Sequence, residues 1–181
     1  MASILILGGT SDMAISIAEE YLSNQYKIIL AARSLERLDI IKSDLQIKLD
    51  GVVDIRQFDA ADLQSHEEFV RSLDPLPEIT LCAFGYLGDQ STAKRSIEEC
   101  LKIINVNFTG AVSVLNLISK RYRSKKAGTI IGLSSVAGER GRQSNYIYGS
   151  AKAAFTSYLS GLRNELFHFG CHVMTVKPGF V

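Results

Sequence analysis

The sequence has few of the residues that mark disulfide-bonded, metal-binding or nucleic-acid-binding proteins. Its three cysteines, Cys82, Cys100 and Cys171, are widely spaced and follow no disulfide or metal-ligand pattern, which favours a reducing compartment such as the cytoplasm. The three histidines also lack ligand spacing, so no metal site is predicted and they are interpreted as surface or helix-end residues. A net charge of +1 gives no electrostatic reason to expect nucleic acid or an anionic membrane as a partner.

The N-terminus lacks a long hydrophobic run. The apolar segment 4–7 is too short for a signal peptide or a membrane span, and no positively charged segment precedes it. A soluble, unexported protein is therefore expected. With 181 residues, of which 46% are hydrophobic, the chain fits a single domain, residues 1–181, with an ample core.

Short apolar runs alternate along the chain with longer stretches of helical periodicity. This alternation predicts repeated β-α units, and hence an α/β fold with a parallel sheet of about six strands covered by helices on both faces. The predicted strands are 3–7, 27–31, 53–57, 79–83, 129–133 and 172–176. The predicted helices are 13–22, 35–48, 66–73, 97–122 with a break near Asn105, and 148–169.

A tyrosine and a lysine four residues apart form the main candidate site. If Tyr148 lies on a helix, Lys152 lies on the same face, with Cβ atoms about 5–6 Å apart. A cation beside the phenol would lower the pKa of Tyr148, which suits general acid and base catalysis; the alternative is an ordinary surface pair. Ser135 favours catalysis, because it follows the apolar run 129–133, whose strand end would deliver the hydroxyl into a cleft.

The spacing of Ser135, Tyr148 and Lys152 (Ser-x12-Tyr-x3-Lys) resembles the active-site signature of the short-chain dehydrogenase/reductase family. The resemblance implies a three-layer Rossmann fold with a doubly wound parallel sheet. It also implies an NAD(P)(H)-dependent oxidoreductase that interconverts a carbonyl and an alcohol by hydride transfer, with Tyr148 as general acid and base. In the family, the serine aligns the substrate oxygen and the lysine holds the nicotinamide ribose. Asn107 matches the family's catalytic asparagine, which anchors a relay water.

A loop with two glycines after the first predicted strand is the candidate phosphate-binding segment. Gly8 and Gly9 would let the backbone approach a pyrophosphate at the N-terminus of the following helix. Of the glycines in the family loop only Gly8 is present, and Asp12 stands where the family has another. Its carboxylate would repel phosphates, but Asp is also a strong helix N-cap, which is the preferred interpretation. The resemblance assigns cofactor contacts to Gly8, Gly9, Thr10, Ser11, Asp12 and Met13.

Arg33, after the second predicted strand, bears on the choice of cofactor. An acidic residue here would bind the ribose 2′-hydroxyl of NAD, whereas an arginine can pair with the 2′-phosphate of NADP. Ala32 replaces the acid and Arg33 follows, which predicts NADP(H) rather than NAD(H); the alternative is that Arg33 only caps the loop. The resemblance adds further cofactor contacts at Asp59, Ala60, Gly85, Tyr148, Lys152, Pro178 and Gly179.

The resemblance extends over residues 3–181 and raises two further expectations. Family members usually continue with a substrate lid and a seventh strand, so the C-terminal part of the family fold is expected to be missing. This leaves open a catalytically silent nucleotide-binding regulator, or an inactive fragment of such an enzyme. A homodimer or homotetramer built on the helices that begin near Asn107 and Tyr148 is also expected.

The sequence says less about the substrate. The loop 86–90 follows the fourth predicted strand and could face it. Segments 83–89 and 134–140 resemble the reductase subunit of decaprenylphosphoryl-ribose 2-epimerase, which reduces a keto-sugar on a polyprenyl phosphate carrier. A keto-sugar is therefore one candidate substrate, beside a small ketone or an acyl carbonyl.

Overall fold

The computed structural model describes residues 1–179. Within them, six strands form one parallel sheet: β1 (Ser3–Leu7), β2 (Lys27–Ala32), β3 (Val53–Gln57), β4 (Ile79–Cys82), β5 (Gly128–Leu133) and β6 (Cys171–Val176). Their order across the sheet is β3-β2-β1-β4-β5-β6. This is the order of dinucleotide-binding Rossmann folds, in which the winding reverses between β1 and β4. The predicted α/β fold with a parallel sheet of six strands is confirmed.

Seven α-helices cover the sheet in the described part of the chain: α1 (Asp12–Ser23), α2 (Leu35–Lys48), α3 (His66–Ser72), α4 (Gln90–Ala93), α5 (Ile97–Ile104), α6 (Gly110–Lys125) and α7 (Tyr146–Phe167). A π-helical turn, Asn105–Thr109, joins α5 to α6, and a 3₁₀ turn, Val136–Gly138, follows β5. The α-helix is interrupted where the break was predicted, near Asn105, but by a π turn, so the chain stays helical from Ile97 to Lys125.

The strands are buried on both faces, which explains their continuous apolar runs. Successive side chains of β1 point to opposite sides of the sheet. Ile4 and Ile6 belong to the core under α1 and α2, with Ala18 and Leu38 among the helix residues. Leu5 and Leu7 belong to the second core, under α3, α6 and α7. The helices therefore cover both faces of the sheet. The loops at the strand ends are not part of either core and can form a site.

The helix from Ile97 to Lys125 is, among residues 1–179, the one segment long and apolar enough to cross a membrane, with a mean hydropathy of 1.4. Length and composition alone are weak evidence for a membrane span. The helix contributes Val114, Leu115 and Ile118 to the core beneath the sheet, as a helix of a soluble protein does. This segment lies outside the N-terminal run 4–7, on which the expectation of no membrane span was based.

His66 is a helix-end residue, one of the two interpretations given for the histidines, because it is the first residue of α3; it is fully buried and does not lie on the surface. Its Nε2 lies 3.0 Å from the Asp59 carbonyl oxygen and its Nδ1 lies 2.9 Å from the Ser113 hydroxyl. A carbonyl oxygen only accepts, so Nε2 carries a proton and donates it. The ring also stacks on Phe58, with centroids 5.0 Å apart. His66 thus fixes the segment after β3 against α6.

Candidate active site

The candidate site lies where the strand order reverses, at the carboxyl ends of β1, β4 and β5. Ligands of open parallel sheets bind in the crevice at this point. Gly8, after β1, has φ +90°, and a Cβ added to it would come within 2.5 Å of the Phe84 backbone nitrogen. The loops after β1 and β4 therefore pack backbone against backbone, and only glycine fits at residue 8.

The turn between β1 and α1 is held differently from the prediction. Ser11, not Asp12, is the N-cap of α1: it has extended backbone angles, and its side chain accepts a hydrogen bond from the Ala14 backbone N–H. Asp12 is the first helical residue and is exposed, where its carboxylate still complements the helix dipole. The Gly8 and Gly9 N–H groups both donate to the Ala31 carbonyl, at 2.8 and 3.1 Å. These two amides are already engaged within the protein.

The Gly8→Ala variant is expected to lose at least about 2 kcal/mol of unfolding free energy, because the positive φ and the clash with Phe84 both penalise a methyl group. Gly161→Ala in α7 is the matched control, since a Cβ there meets no atom within 4 Å and alanine favours a helix. Urea unfolding of both variants is the measurement. Equal stabilities for the two would contradict the close packing of the loops after β1 and β4.

Ser135 and Tyr148 come together at the end of β5. Ser135 is the N-cap of the 3₁₀ turn, and its Oγ accepts from the Ala137 backbone N–H at 3.1 Å, which leaves its hydroxyl hydrogen available to donate. Burial raises the pKa of the Tyr148 phenol above its usual range, and a hydrogen bond with the Ser135 hydroxyl partly opposes this. Tyr148 is therefore fully protonated at neutral pH.

Lys152 lies against the face of the Tyr148 ring. Its Nζ is 5.8 Å from the centroid of that ring and donates to the Leu133 carbonyl at 3.0 Å. The side chain is almost fully buried, and this burial lowers the pKa of Lys152. The net lowering of the Tyr148 pKa predicted from the sequence is not observed, because burial of the phenol raises this pKa by more than the Ser135 hydrogen bond lowers it.

Gly85 and Asn107 complete the surroundings of Lys152. A Cβ added to Gly85 would lie 3.0 Å from Asn107 Oδ1 and 3.5 Å from Lys152 Nζ, so this glycine leaves the space next to both side chains open. Asn107 is buried in the π turn. Its Nδ2 donates to the carbonyls of Tyr86 and Ile103, at 2.6 and 2.8 Å, and its Oδ1 accepts from the Tyr86 N–H at 3.1 Å. In the structure the Asn107 side chain holds the loop after β4.

The other predicted cofactor residues lie around the same edge of the sheet. Arg33 follows β2, is exposed, and has no ion pair within residues 1–179. The loop that Arg33 begins is held by neighbouring groups: Ser34 caps α2 by accepting from the Arg37 N–H, and the Arg33 carbonyl accepts from Gln57 Nε2 at 3.4 Å. At the opposite end of the site, the Val136 N–H donates to the Pro178 carbonyl at 3.1 Å, which brings Pro178, and Gly179 after it, close to Ser135.

Three predicted cofactor contacts, Asp59, Ala60 and Met13, have side chains that are bonded or packed within the protein. The Asp59 side chain accepts from the Ala61 N–H at 2.9 Å, and its backbone carbonyl is held by His66. Ala60 is buried, and the Met13 side chain packs against the core under α1. For Ala60 and Met13, this leaves their backbone groups as the part that can face a ligand.

A family model described as short chain dehydrogenase matches residues 2–181 of this sequence. The chain belongs to the short chain dehydrogenase family. It is 35% identical over 184 residues to an uncharacterized oxidoreductase of Mycobacterium tuberculosis, an alignment that covers 99% of this chain and 73% of that protein. It is also 28% identical to an NADP-dependent 3-hydroxy acid dehydrogenase of Schizosaccharomyces pombe, over 99% of this chain and 71% of that protein.

The fold agrees with solved members of the family. A short-chain dehydrogenase from Sphingobium yanoikuyae in complex with NADPH superimposes with a TM-score of 0.90 and 25% identity, over 99% of this chain and 71% of that chain. The sequence prediction of the family is therefore confirmed, and this short chain dehydrogenase is shorter than the relatives that it matches.

The sequence analysis missed Ser134, which positions Lys152 in this short chain dehydrogenase. Ser134 is buried, and its hydroxyl donates to the Lys152 carbonyl at 3.0 Å. Its oxygen lies 2.6 Å from the Thr156 hydroxyl, which donates to it because Ser134 has already given its one proton. The sequence signal for this role was the pair of serines after β5, Ser134 and Ser135, together with Thr156 four residues after Lys152.

A cavity of about 490 Å³ opens beside the site, between the loop after β4 and the segment before α7. Its volume suits a small molecule. The sequence predicted that the loop after β4 could face substrate, but it gave no sign of the opposite wall. The lining residues are Leu87, Gly88, Asp89, Gln90, Ser91, Lys94, Gln143, Ser144 and Asn145.

Proposed function

We propose that this protein is an NADP(H)-preferring oxidoreductase that interconverts a carbonyl and an alcohol. The observation that supports this best is the hydrogen bond between the Ser135 and Tyr148 hydroxyls, with the buried ammonium of Lys152 against the face of the Tyr148 ring. A surface pair would not be buried, so the alternative interpretation of Tyr148 and Lys152 loses its basis. A small ketone or acyl carbonyl would be the substrate, with a keto-sugar among the candidates.

The described residues fit a dinucleotide. The first N–H groups of α1, at Asp12 and Met13, have no partner within the helix and can receive a pyrophosphate, although the Gly8 and Gly9 amides cannot. Gly85 leaves open space beside Lys152, where a ribose can approach. When bound, the nicotinamide supplies or accepts the hydride.

In the direction of reduction, Tyr148 donates its proton to the substrate oxygen. Its raised pKa keeps the phenol protonated at neutral pH, which is the state that a general acid needs. The Ser135 hydroxyl hydrogen, which the Ala137 N–H leaves free, turns from the Tyr148 oxygen to the substrate oxygen and aligns it. The Lys152 ammonium then lies below the phenolate that Tyr148 becomes and stabilises its charge.

The preference for NADP(H) would come from Arg33, whose exposed guanidinium can pair with the 2′-phosphate. The Arg33→Ala variant is expected to bind NADPH about 10–100-fold more weakly, the loss of one charge-assisted contact, with NADH affinity nearly unchanged. Titration by nicotinamide fluorescence measures both. Arg71→Ala, on the far helix α3, is the control and should change neither affinity. A parallel loss for NADPH and NADH would contradict the role of Arg33.

Oxidation of NADPH in the presence of a panel of ketones, acyl carbonyls and keto-sugars tests the activity. Turnover with at least one of them is expected. A regulator that binds the nucleotide without catalysis is the second candidate, favoured by the internal engagement of the Gly8 and Gly9 amides. Tight binding of NADPH with no oxidation by any of these compounds would decide for the regulator.

The assembly would be a homodimer or homotetramer in the cytoplasm. The most apolar window of the helix from Ile97 to Lys125 is only 39% buried within one chain, which supports a second copy of the chain as its cover. Cys82 and Cys171 are buried free thiols, in accord with a reducing compartment. Light scattering after size-exclusion chromatography measures the assembly, and a monomer at micromolar concentration would contradict it.

A further inference from the structure

We infer that His66 positions the β3–α3 segment, residues 58–65, for the adenosine half of NADP(H). His66 is a positioning residue, because it contacts the segment and the segment contacts the nucleotide. The identity of the ligand rests on the proposed function, whereas the link through His66 rests on contacts within the chain.

The β3–α3 segment begins next to Arg33, the residue proposed to pair with the 2′-phosphate. The Phe58 N–H donates to the Ala32 carbonyl at 3.0 Å. One residue earlier, Gln57 Nε2 donates to the Arg33 carbonyl at 3.4 Å. The 2′-phosphate of NADP(H) is carried by the ribose of its adenosine half. With Arg33 on that phosphate, the adenosine half lies at the neighbouring carboxyl ends of β2 and β3, where the segment starts.

Asp59 is the residue of the segment that suits an adenine. Its side chain is half-buried, and its Oδ1 accepts from the Ala61 N–H at 2.9 Å. A carboxylate accepts several hydrogen bonds, so Asp59 can accept a further one from the exocyclic amine of adenine. Such a bond depends on the direction of the carboxylate, and hence on how the backbone of the segment is held.

The β3–α3 segment has little regular structure of its own. It forms two turns, in which the Asp62 N–H donates to the Asp59 carbonyl and the Ser65 N–H donates to the Asp62 carbonyl, both at 3.2 Å. Residues 61–64 are exposed, and α3, which follows, is only seven residues long. Local bonds of this kind leave a segment several conformations, so tertiary contacts must select one.

His66 supplies the selecting contact. From the first turn of α3 its ring folds back over the segment, and Nε2 donates to the Asp59 carbonyl at 3.0 Å. On the other side of the ring, Nδ1 lies 2.9 Å from the Ser113 hydroxyl of α6. The ring is fully buried and stacks on Phe58. One imidazole thus joins the segment to α6.

The helix α6 is a firm support for this link. Its Val114 and Ile118 side chains are fully buried in the core. The Ala60 carbonyl also packs against Gly110, at the start of the same helix, where an added Cβ would overlap that oxygen. A segment that is held in one conformation before binding loses less conformational entropy when the nucleotide binds.

Two substitutions of His66 separate positioning from packing. The amide of glutamine takes the place of Nε2 and can still donate to the Asp59 carbonyl. The shorter amide of asparagine takes the place of Nδ1 and reaches only Ser113. Both His66→Gln and His66→Asn remove the ring that stacks on Phe58, so both should lower the unfolding free energy measured in urea to a similar extent.

The measurement is the affinity for adenosine 2′,5′-bisphosphate, the adenosine half of NADP(H), by isothermal titration calorimetry. His66→Asn is expected to bind it about 10-fold more weakly, because the loss of one hydrogen bond lowers by that factor the fraction of molecules with the segment in its binding conformation. His66→Gln is expected to stay within about three-fold of the unaltered protein. His168→Asn, the same change at an exposed residue after α7, is the control and should leave the affinity unchanged.

Equal affinities of the two His66 variants for the bisphosphate would overturn the inference, whether both are weak or both are unaltered. NADPH should be weakened by the same factor as the bisphosphate in His66→Asn. A clearly larger loss for NADPH would place the effect outside the adenosine half and would also overturn the inference.

Ser113→Ala gives a second measurement that does not depend on the folding of the His66 variants. It removes the hydroxyl of α6 and leaves the imidazole ring in place. We expect it to weaken the binding of the bisphosphate about three-fold or more, because the ring then loses its link to α6. An unchanged affinity would overturn the role of that link.

Reduction of ketones with NADPH is measured separately, so that the two ideas can fail independently. The expected order of bisphosphate affinities without any turnover would remove the proposed enzyme activity and leave the role of His66. Turnover with equal bisphosphate affinities in His66→Gln and His66→Asn would do the reverse.

Discussion

The Tyr148→Phe variant is expected to reduce carbonyl substrates with a kcat about 10²–10⁴-fold lower, the usual contribution of a positioned general acid. Phenylalanine fills the same space, so the packing around the half-buried ring should persist. The hydroxyl is the only group lost, and with it the proton donor next to Ser135. Affinity for NADPH, measured by nicotinamide fluorescence, should stay within about two-fold, because no dinucleotide phosphate contact is removed.

Tyr146→Phe provides a matched control for this variant. Tyr146 lies in the same first turn of α7, and it is 41% exposed. Its loss of a hydroxyl should leave kcat unchanged. If Tyr148→Phe kept a kcat close to that of the unaltered protein, the protein would need another proton donor and the proposed mechanism would be wrong.

The Lys152→Met variant is expected to lose activity and gain stability together. Methionine matches the length of the lysine stem but removes a charged group that is 3% exposed. The ammonium has its pKa lowered by burial, so keeping it charged costs folding free energy at neutral pH. The Leu133 carbonyl loses its donor, which offsets part of the gain. We expect a net gain of about 1 kcal/mol, seen as a rise in Tm of about 2–4 °C, with kcat lowered at least about 100-fold.

The pH dependence of this gain has a definite sign. A lysine whose pKa is lower in the folded state binds its proton less tightly there than in the unfolded chain. The penalty is therefore complete below the folded pKa, shrinks as pH rises towards the ordinary 10.5, and vanishes above it. Thermal unfolding of the unaltered protein and Lys152→Met should differ most at neutral pH and converge at alkaline pH. Lys120→Met, on an exposed residue of α6, should show no such gain; a gain there too would assign the effect to side-chain hydrophobicity.

The sequence was sufficient for the sheet and for the placement of Tyr148 and Lys152. Strands buried on both faces leave continuous apolar runs, which are visible without any structure. Side chains four residues apart on a helix lie on the same face, so Tyr148 and Lys152 share a site once α7 forms. Ser135 followed from the same logic, because parallel strands end at one edge of the sheet.

The features that the sequence could not provide depend on competition between neighbouring groups. Ser11 and Asp12 are both good N-caps, and only the backbone angles of the turn decide that Ser11 takes the role. Burial and the Ser135 hydrogen bond act in opposite directions on the pKa of Tyr148, and only the folded structure shows that burial is the larger of the two.

The pairing of Gln90 with Ile147 was hidden for a different reason. It joins residues 57 positions apart, and no periodicity or motif records such a contact. The same holds for the cavity, whose two walls come from different β-α units.

The loop after β4 is held through its backbone, and this affects which substitutions the protein can accept during evolution. The Asn107 side chain hydrogen-bonds to the backbone N–H and carbonyl of Tyr86, and the Glu99 carboxylate accepts from the backbone N–H of Asp89. These bonds do not involve the side chains of Leu87 or Gln90. Mutations at those two residues can therefore change the chemistry of the wall while its backbone keeps its path. For the oxidoreductase proposed above, single substitutions in this wall can therefore change the substrate without a change in the loop conformation.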